Sequence, residues 1–232
     1  MATLTVDPTR HLGELVAERP ARARVFERVG IDYCCHGRRS LEDACQSAGL
    51  DIDTVLDQLA AVGETEGADV DQLPPVALIK HIVTVHHRYL DDELPLLVAL
   101  AAKVRDVHGT RHGELAEVAR LVLAAHDDLI PHLAKEERVL FPAIAALVDG
   151  ERDFPFGAIG NPIHMMLVEH EAVGALLGEL RTITDGYVVP TDGCASYRSL
   201  YARLEELETD TFRHIHLENN VLFPAVVELA QG

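Results

Sequence analysis

Two thirteen-residue segments of the chain repeat each other. The first is His132-Leu-Ala-Lys-Glu-Glu-Arg-Val-Leu-Phe-Pro-Ala-Ile144, and the second is His214-Ile-His-Leu-Glu-Asn-Asn-Val-Leu-Phe-Pro-Ala-Val226. Seven of the thirteen positions are identical, among them the first histidine and the glutamate four residues after it. A repeat that served packing alone would preserve apolar residues. Because this one also preserves a histidine and a glutamate, it indicates duplicated chemistry.

The spacing within each segment predicts a pair of ligands on one helical face. Residues four apart lie on the same side of a helix, so His132 projects with Glu136 and His214 projects with Glu218. The surrounding leucine, phenylalanine and valine residues place that face toward the protein interior. An unpaired imidazole or carboxylate there would cost several kcal/mol through desolvation. A buried cation is the simplest compensation.

Helical periodicity continues outward from both segments. Four long stretches show it, at about 76–106, 112–148, 162–184 and 195–230, and loops rich in glycine, proline or aspartate separate them. Alternation with a period of two residues, typical of strands, does not extend over a useful length. We therefore predict an all-α protein whose main part is an antiparallel four-helix bundle.

Each of the other two long stretches offers one further histidine. Val85-His86-His87 aligns loosely with Val168-Glu169-His170, which adds His87 and His170 to the two pairs. His86 competes with His87, because one step around a helix separates them and only one should face inward. His216 follows His214 by two residues and should point away from the Glu218 face.

Four imidazoles and two carboxylates suffice for two metal ions. Each ion takes two histidines, the two glutamates bridge, and positions stay open for small ligands. Mixed nitrogen and oxygen ligation suits iron or manganese better than a metal that prefers thiolates, and bundles house di-iron centres on such inward-facing residues. We expect iron.

Phe141-Pro142 and Phe223-Pro224 predict a kink in each ligand-bearing helix, which either serves packing alone or tilts the ligands toward the metals.

The N-terminal part of the chain has a different organisation. One short helix lies between Pro20 and Gly30, the next between Ser40 and Gly49, and a third between Asp51 and Val62. An acidic stretch with few large apolar side chains follows. We predict an N-terminal helical module over 1–62, a linker over 63–74 and the bundle over 75–232.

Adjacent cysteines are the chemical feature of this module, in Cys34-Cys35-His36-Gly37-Arg38-Arg39. A disulfide between neighbours would be strained and easily reduced. The histidine, the arginines and the following helix N-terminus predict exposed thiols of lowered pKa, suited to redox chemistry or to iron relay. The alternative is two small buried hydrophobic side chains. Cys45 and Cys194 are interpreted as incidental.

Composition restricts the function classes. The chain has 232 residues and a formal net charge of −18, which disfavours binding to nucleic acid or to anionic lipid. The longest apolar run is far shorter than a membrane span, and a secretory signal is not recognisable, so we expect a cytoplasmic protein.

These motifs resemble those of the repair-of-iron-centres family of hemerythrin-like di-iron proteins. Gly30-Ile-Asp-Tyr-Cys-Cys-His-Gly37 and Ser40-Leu-Glu-Asp-Ala-Cys45 are similar to its N-terminal module, and the histidine and glutamate segments are similar to its bundle. The resemblance covers nearly the whole chain. It implies six metal ligands, which are His87, His132, Glu136, His170, His214 and Glu218, and a redox or iron-relay role for Cys34 and Cys35.

The resemblance also implies a cofactor and a function. The cofactor is a pair of iron ions bridged by carboxylates and by oxo or hydroxo groups. Gly174 stands where oxygen-carrying hemerythrins have a further histidine, which implies a more open centre. The implied function is repair of, or iron supply to, iron–sulfur proteins damaged by nitrosative or oxidative stress, with nitric oxide or oxygen as small ligand. A nitric oxide- or peroxide-reducing oxidoreductase and a sensor of diatomic gases are the alternatives, and a homodimer is left open.

Overall fold

A computed structural model describes residues 6–62 and 70–231. Within these residues the secondary structure is helical, apart from an isolated antiparallel bridge between His11 and Ser40. The all-α prediction is therefore confirmed. The α-helices are α1 Leu12–Glu18, α2 Ala23–Val29, α3 Leu41–Ala48, α4 Ile52–Ala60, α5 Pro75–Ile82, α6 Arg88–His108, α7 Leu115–Lys135, α8 Phe141–Val148, α9 Gly160–Ile183, α10 Ala195–His216 and α11 Phe223–Gln231.

Three π-helical segments join α-helices end to end. They span Val83–His87 between α5 and α6, Glu136–Leu140 between α7 and α8, and Leu217–Leu222 between α10 and α11. The four long stretches predicted from periodicity are thus helical throughout most of their lengths. Two 3-10 turns, Pro20–Arg22 and Val70–Gln72, complete the secondary structure of the described residues.

The chain forms two compact units. One combines Met1–Ile79 with Phe212–Gly232, and the other is Lys80–Thr211. The predicted domain bounds of 1–62, 63–74 and 75–232 stay a prediction, and residues 63–69 of the predicted linker lie outside the described residues.

The first unit has a core of small helices. Its buried side chains include Leu12, Phe26, Tyr33 and Leu41 from the N-terminal region and Ile215 from the C-terminal region. Capping fixes the helix ends as the sequence predicts. Ser40 accepts a hydrogen bond from the Asp43 N–H at the start of α3, and Gly30 ends α2 in the left-handed conformation with φ 72°.

The second unit contains the long helices. α6 packs against α7, and α7 packs against α9. Leucines on the inner faces form the core, among them Leu94, Leu121, Leu177 and Leu204, each at most 1% exposed. None of the described helices is both long and apolar enough to cross a membrane.

Candidate metal centre

The π-helical segments occur where the candidate ligands lie. His87 ends the first segment, Glu136 begins the second, and Glu218 is the second residue of the third. Single π-turns inside α-helices are frequent at functional sites. The Phe-Pro pairs predicted a disturbed helix, and a π-helical segment directly precedes each pair.

Proline explains where two of these widened turns end. Pro142 is the second residue of α8, and Pro224 is the second residue of α11. Proline has no N–H to give to the carbonyl four residues earlier, and its ring clashes with that carbonyl. A π-turn directly before the proline relieves the clash and changes the direction of the side chains around it.

Three candidate histidine ligands of the second unit converge on Glu136. Its Oε2 lies 3.3 Å from Nε2 of His132 and 3.5 Å from Nε2 of His87, and its Oε1 lies 4.0 Å from Nε2 of His170. The Nε2 atoms of His132 and His170 are 3.0 Å apart. All four side chains are at most 1% exposed. Imidazole nitrogens that face one point beside a buried carboxylate have the arrangement that a metal ion requires.

Carboxylates hold the outer nitrogens of two of these histidines. Nδ1 of His132 lies 2.8 Å from Oε2 of Glu169, and Nδ1 of His87 lies 3.0 Å from Oε1 of Glu137. An ionised carboxylate only accepts, so each imidazole donates its Nδ1–H here. The proton-free Nε2 is then directed at the centre. Such outer partners fix the tautomer and orientation of metal-binding histidines.

Glu169 is itself stabilised as an anion. Burial alone would raise its pKa, but hydrogen bonds from Lys135 and His132 outweigh burial and hold the pKa below its usual value. Sequence reasoning did not single out Glu137 or Glu169. The only sequence signal is adjacency, because Glu137 follows Glu136 and Glu169 precedes His170.

His214 and Glu218 form the remaining pair. Nε2 of His214 lies 3.1 Å from Oε1 of Glu218, and both side chains are at most 1% exposed. The first residue is near the end of α10 and the second is in the third π-helical segment. The predicted relation between residues four apart is therefore present in both repeats.

The six predicted ligands are divided between the two compact units. His87, His132, Glu136 and His170 converge in the second unit, and His214 pairs with Glu218 in the first. Four neutral imidazoles and two carboxylates carry a formal charge of −2, which two divalent cations would more than compensate. The donor set contains nitrogen and oxygen and suits iron or manganese.

The neighbouring histidines have other partners. His86 is buried as well as His87, and its Nδ1 lies 2.8 Å from Oδ1 of Asp210. His216 is not among the described residues that cluster as possible metal ligands, in line with its predicted direction. It is buried, with Nδ1 at 3.3 Å from the Asn220 amide and its ring 5.6 Å from that of Tyr33.

The adjacent cysteines form hydrogen bonds with Asp32, which the sequence analysis did not identify. Oδ1 of Asp32 accepts hydrogen bonds from the backbone N–H groups of Cys34 and Cys35 and from the Cys34 thiol at 3.2 Å. Its Oδ2 lies 2.7 Å from Nδ1 of His36. The two Sγ atoms are 3.7 Å apart and are not joined by a disulfide bond. Asp32, Cys34 and Cys35 form a group whose ligand atoms could hold a metal ion.

The expected lowering of the thiol pKa is wrong for Cys34. This side chain is 1% exposed, and burial, with the neighbouring Cys35 and Asp32, raises its pKa well above the usual value. Arg39 does not compensate, because its guanidinium bonds to Ser47 and to the Asp43 carbonyl. Glycine and arginine next to the pair had suggested exposure, yet Gly37 is buried.

Two family models match successive parts of the chain. The family model described as the hemerythrin HHE cation binding domain matches residues 78–226, and the ScdA_N model, a domain of unknown function (DUF542), matches residues 8–63. The iron-sulfur cluster repair protein YtfE of Edwardsiella ictaluri is 38% identical over 217 residues, covering 93% of this chain and 95% of the relative. The YtfE proteins of Cronobacter sakazakii and Yersinia pestis are 35% and 37% identical and each cover 92% of this chain and 94% of the relative.

Proposed function

Because the chain belongs to the family of YtfE iron-sulfur cluster repair proteins, we propose that it is a di-iron protein that supplies iron to damaged iron–sulfur clusters. Its partners are then iron–sulfur proteins injured by nitrosative or oxidative stress. The proposal places the protein in the cytoplasm.

One observation carries the proposal, which is the convergence of three buried imidazole Nε2 atoms on the carboxylate of Glu136. In the proposed assignment His87 and His214 would hold one iron, His132 and His170 would hold the other, and Glu136 and Glu218 would serve both. Two nitrogen and two oxygen donors for each ion leave coordination positions open for a small ligand such as nitric oxide or oxygen. Bound there, the iron pair supplies redox chemistry and a source of transferable iron.

The protein's own side chains prepare this centre. Glu137 and Glu169 accept hydrogen bonds from Nδ1 of His87 and His132, so that each Nε2 can bind a cation. Burial of Glu136 and Glu218, both 0% exposed, removes water from the carboxylates and makes cation binding the compensation for their charge. We propose that these two glutamates, together with an oxo or hydroxo group, would bridge the irons.

The cysteine pair is the proposed relay for iron or electrons. Asp32, Cys34 and Cys35 offer one carboxylate and two sulfur atoms within one small group. Thiols must release their protons to bind a metal, so the raised pKa of Cys34 favours the protonated, empty pair until a cation arrives. Such a group can bind iron briefly rather than store it.

The decisive experiment measures iron transfer. Protein loaded with ferrous iron is mixed, without oxygen, with a hydro-lyase whose four-iron cluster has been damaged by nitric oxide. We expect the hydro-lyase to regain activity in proportion to the iron that the protein loses. Catalytic consumption of nitric oxide or peroxide without iron loss would instead support the oxidoreductase alternative. A change only in self-association on gas binding would support a sensor, and either result would overturn the repair proposal.

A further inference from the structure

Cys194 has surroundings unlike those of the buried thiols. It is exposed and lies directly before the first residue of α10, whereas Cys34 and Cys45 are each 1% exposed. It is also the only cysteine in the sequence of the second unit, from Lys80 to Thr211. The sequence analysis interpreted it as incidental, whereas the structure gives it a partner 86 residues away.

That partner is a buried histidine. Nε2 of His108, at the end of α6, lies 3.1 Å from Sγ of Cys194, and the imidazole is 5% exposed. Its ring packs edge-on against Tyr197 at a centroid distance of 5.5 Å, which restricts its orientation. Within the described residues, Nδ1 of His108 has no hydrogen-bond partner. The neutral ring therefore carries its proton on Nε2, where it donates to the sulfur.

The start of α10 supplies further donors to the same sulfur. The backbone N–H groups of Tyr197 and Ser196 bond to Cys194, and together with His108 they lower its pKa to about 7. Burial, in contrast, raises the pKa of Cys45. An exposed thiol at a helix N-terminus beside a histidine has the features of a reactive cysteine.

We propose that Cys194 is a covalent modification site that reacts with small aliphatic disulfides to form a mixed disulfide. The Cys194 thiolate attacks one sulfur of the disulfide, a bond forms between these two sulfur atoms, and the original S–S bond breaks. The second half of the reagent leaves as a thiolate and takes a proton from solvent. Cys194 is oxidised, and the leaving half is reduced to a thiol.

Disulfides are the reagent class that this thiol fits best. Exchange is fastest for an attacking thiol whose pKa lies near the ambient pH, because both its ionised fraction and its nucleophilicity are then substantial. The second unit contains no other cysteine in its sequence, so a thiol from outside that unit is needed to displace the adduct. This proposal does not depend on the metal centre or on cluster repair.

The test uses the full chain and glutathione disulfide over a series of pH values, with the adduct located by peptide mass analysis. We expect one glutathionyl group on Cys194, formed at a rate that rises with pH and reaches half its plateau at about pH 7. Cys194→Ser should remove this adduct. His108→Gln should slow the reaction at pH 7 several-fold and move the midpoint to higher pH. The control is His126→Gln, which removes a histidine that pairs with Asp127 and should change neither the rate nor the midpoint.

Two outcomes would overturn the proposal. One is a wild-type midpoint near 9, the ordinary value of a thiol, which would show that the helix and His108 do not activate Cys194. The other is an adduct that forms at Cys45 as fast as at Cys194. Both are measured on the wild-type chain, so they remain decisive even if His108→Gln does not fold.

Discussion

The side-chain amide of Asn220 donates a 3.0 Å hydrogen bond to the backbone carbonyl of Cys34. The neighbouring Asn219 amide donates to the same carbonyl at 3.3 Å. Both asparagines lie in the π-helical segment that carries Glu218, and they belong to the same compact unit as the thiol pair. The loop with the cysteines is therefore attached to the turn that presents a candidate metal ligand.

Gly13 and Gly37 form a cradle for Asn220. A Cβ atom on either glycine would lie closer than 3.0 Å to the Asn220 side chain. We expect Gly37→Ala to lower the free energy of unfolding by about 1–3 kcal/mol, because Asn220 must move and lose its bonds to the cysteine loop. Urea unfolding measures this. The matched control is Gly178→Ala on an open face of α9, which should stabilise the protein by about 0.5–1 kcal/mol.

A double variant separates the clash from other effects. Asn220→Ala removes the atoms that the new methyl group would meet, so Gly37→Ala should cost clearly less in that background than in the wild type. Equal costs in both backgrounds, again from urea unfolding, would show that the cradle does not constrain Asn220.

Iron content should distinguish the buried histidines and glutamates. Glu218→Gln keeps the shape of the side chain but removes the charge of a carboxylate proposed to serve both irons, so we expect iron per folded chain to fall from about two to about one or fewer. His132→Ala should lower it similarly. His216→Gln should leave it unchanged, because His216 is not one of the six candidate ligands. Metal analysis of the purified folded variants decides the matter, and full iron content in Glu218→Gln would rule out a bridging glutamate.

The outer carboxylates should set metal affinity without binding metal. Glu169→Gln weakens the acceptor that holds the Nδ1 proton of His132, and we expect iron affinity to fall about 10- to 100-fold. Competition with a chelator of known affinity measures the change. Glu171→Gln, two residues away on an exposed face of α9, serves as the control and should have wild-type affinity. If Glu169→Gln had the same iron affinity as this control, the Glu169 carboxylate would have no role in metal binding.

Replacement of both cysteines should separate storage from transfer. Cys34→Ser with Cys35→Ser leaves all six candidate ligands intact, so iron content should stay at the wild-type level. We expect the rate at which the damaged hydro-lyase regains activity to fall about tenfold or more, because the relay loses its sulfur donors. Unchanged transfer would assign the pair to the packing of the module. The two readouts are independent, since metal content is measured before the client is added.

The sequence predicted the parts of the centre that depend on local spacing. His132 with Glu136, and His214 with Glu218, follow from helical geometry, and the repeat indicated that both pairs matter. Helix ends such as Ser40 and Gly30 followed from capping chemistry. In each case the interaction joins residues within one or two turns.

Contacts between distant parts of the chain were beyond such reasoning. Glu169 holds His132 across 37 residues, and Asn220 reaches Cys34 across 186. Local composition also gave a wrong prediction where tertiary packing determines exposure. Gly37 suggested exposed thiols, but its lack of a side chain makes room for Asn220. The sequence did not predict the π-helical segments. The prolines indicate that the helix is disturbed, but packing decides whether the helix bends or widens.

The composition of the first compact unit has a consequence for biosynthesis. Residues from both the beginning and the end of the chain build it, whereas Lys80–Thr211 forms the other unit by itself. During translation Asn219 and Asn220 leave the ribosome more than 180 residues after the thiol loop. The loop thus reaches its final surroundings only after these asparagines have emerged.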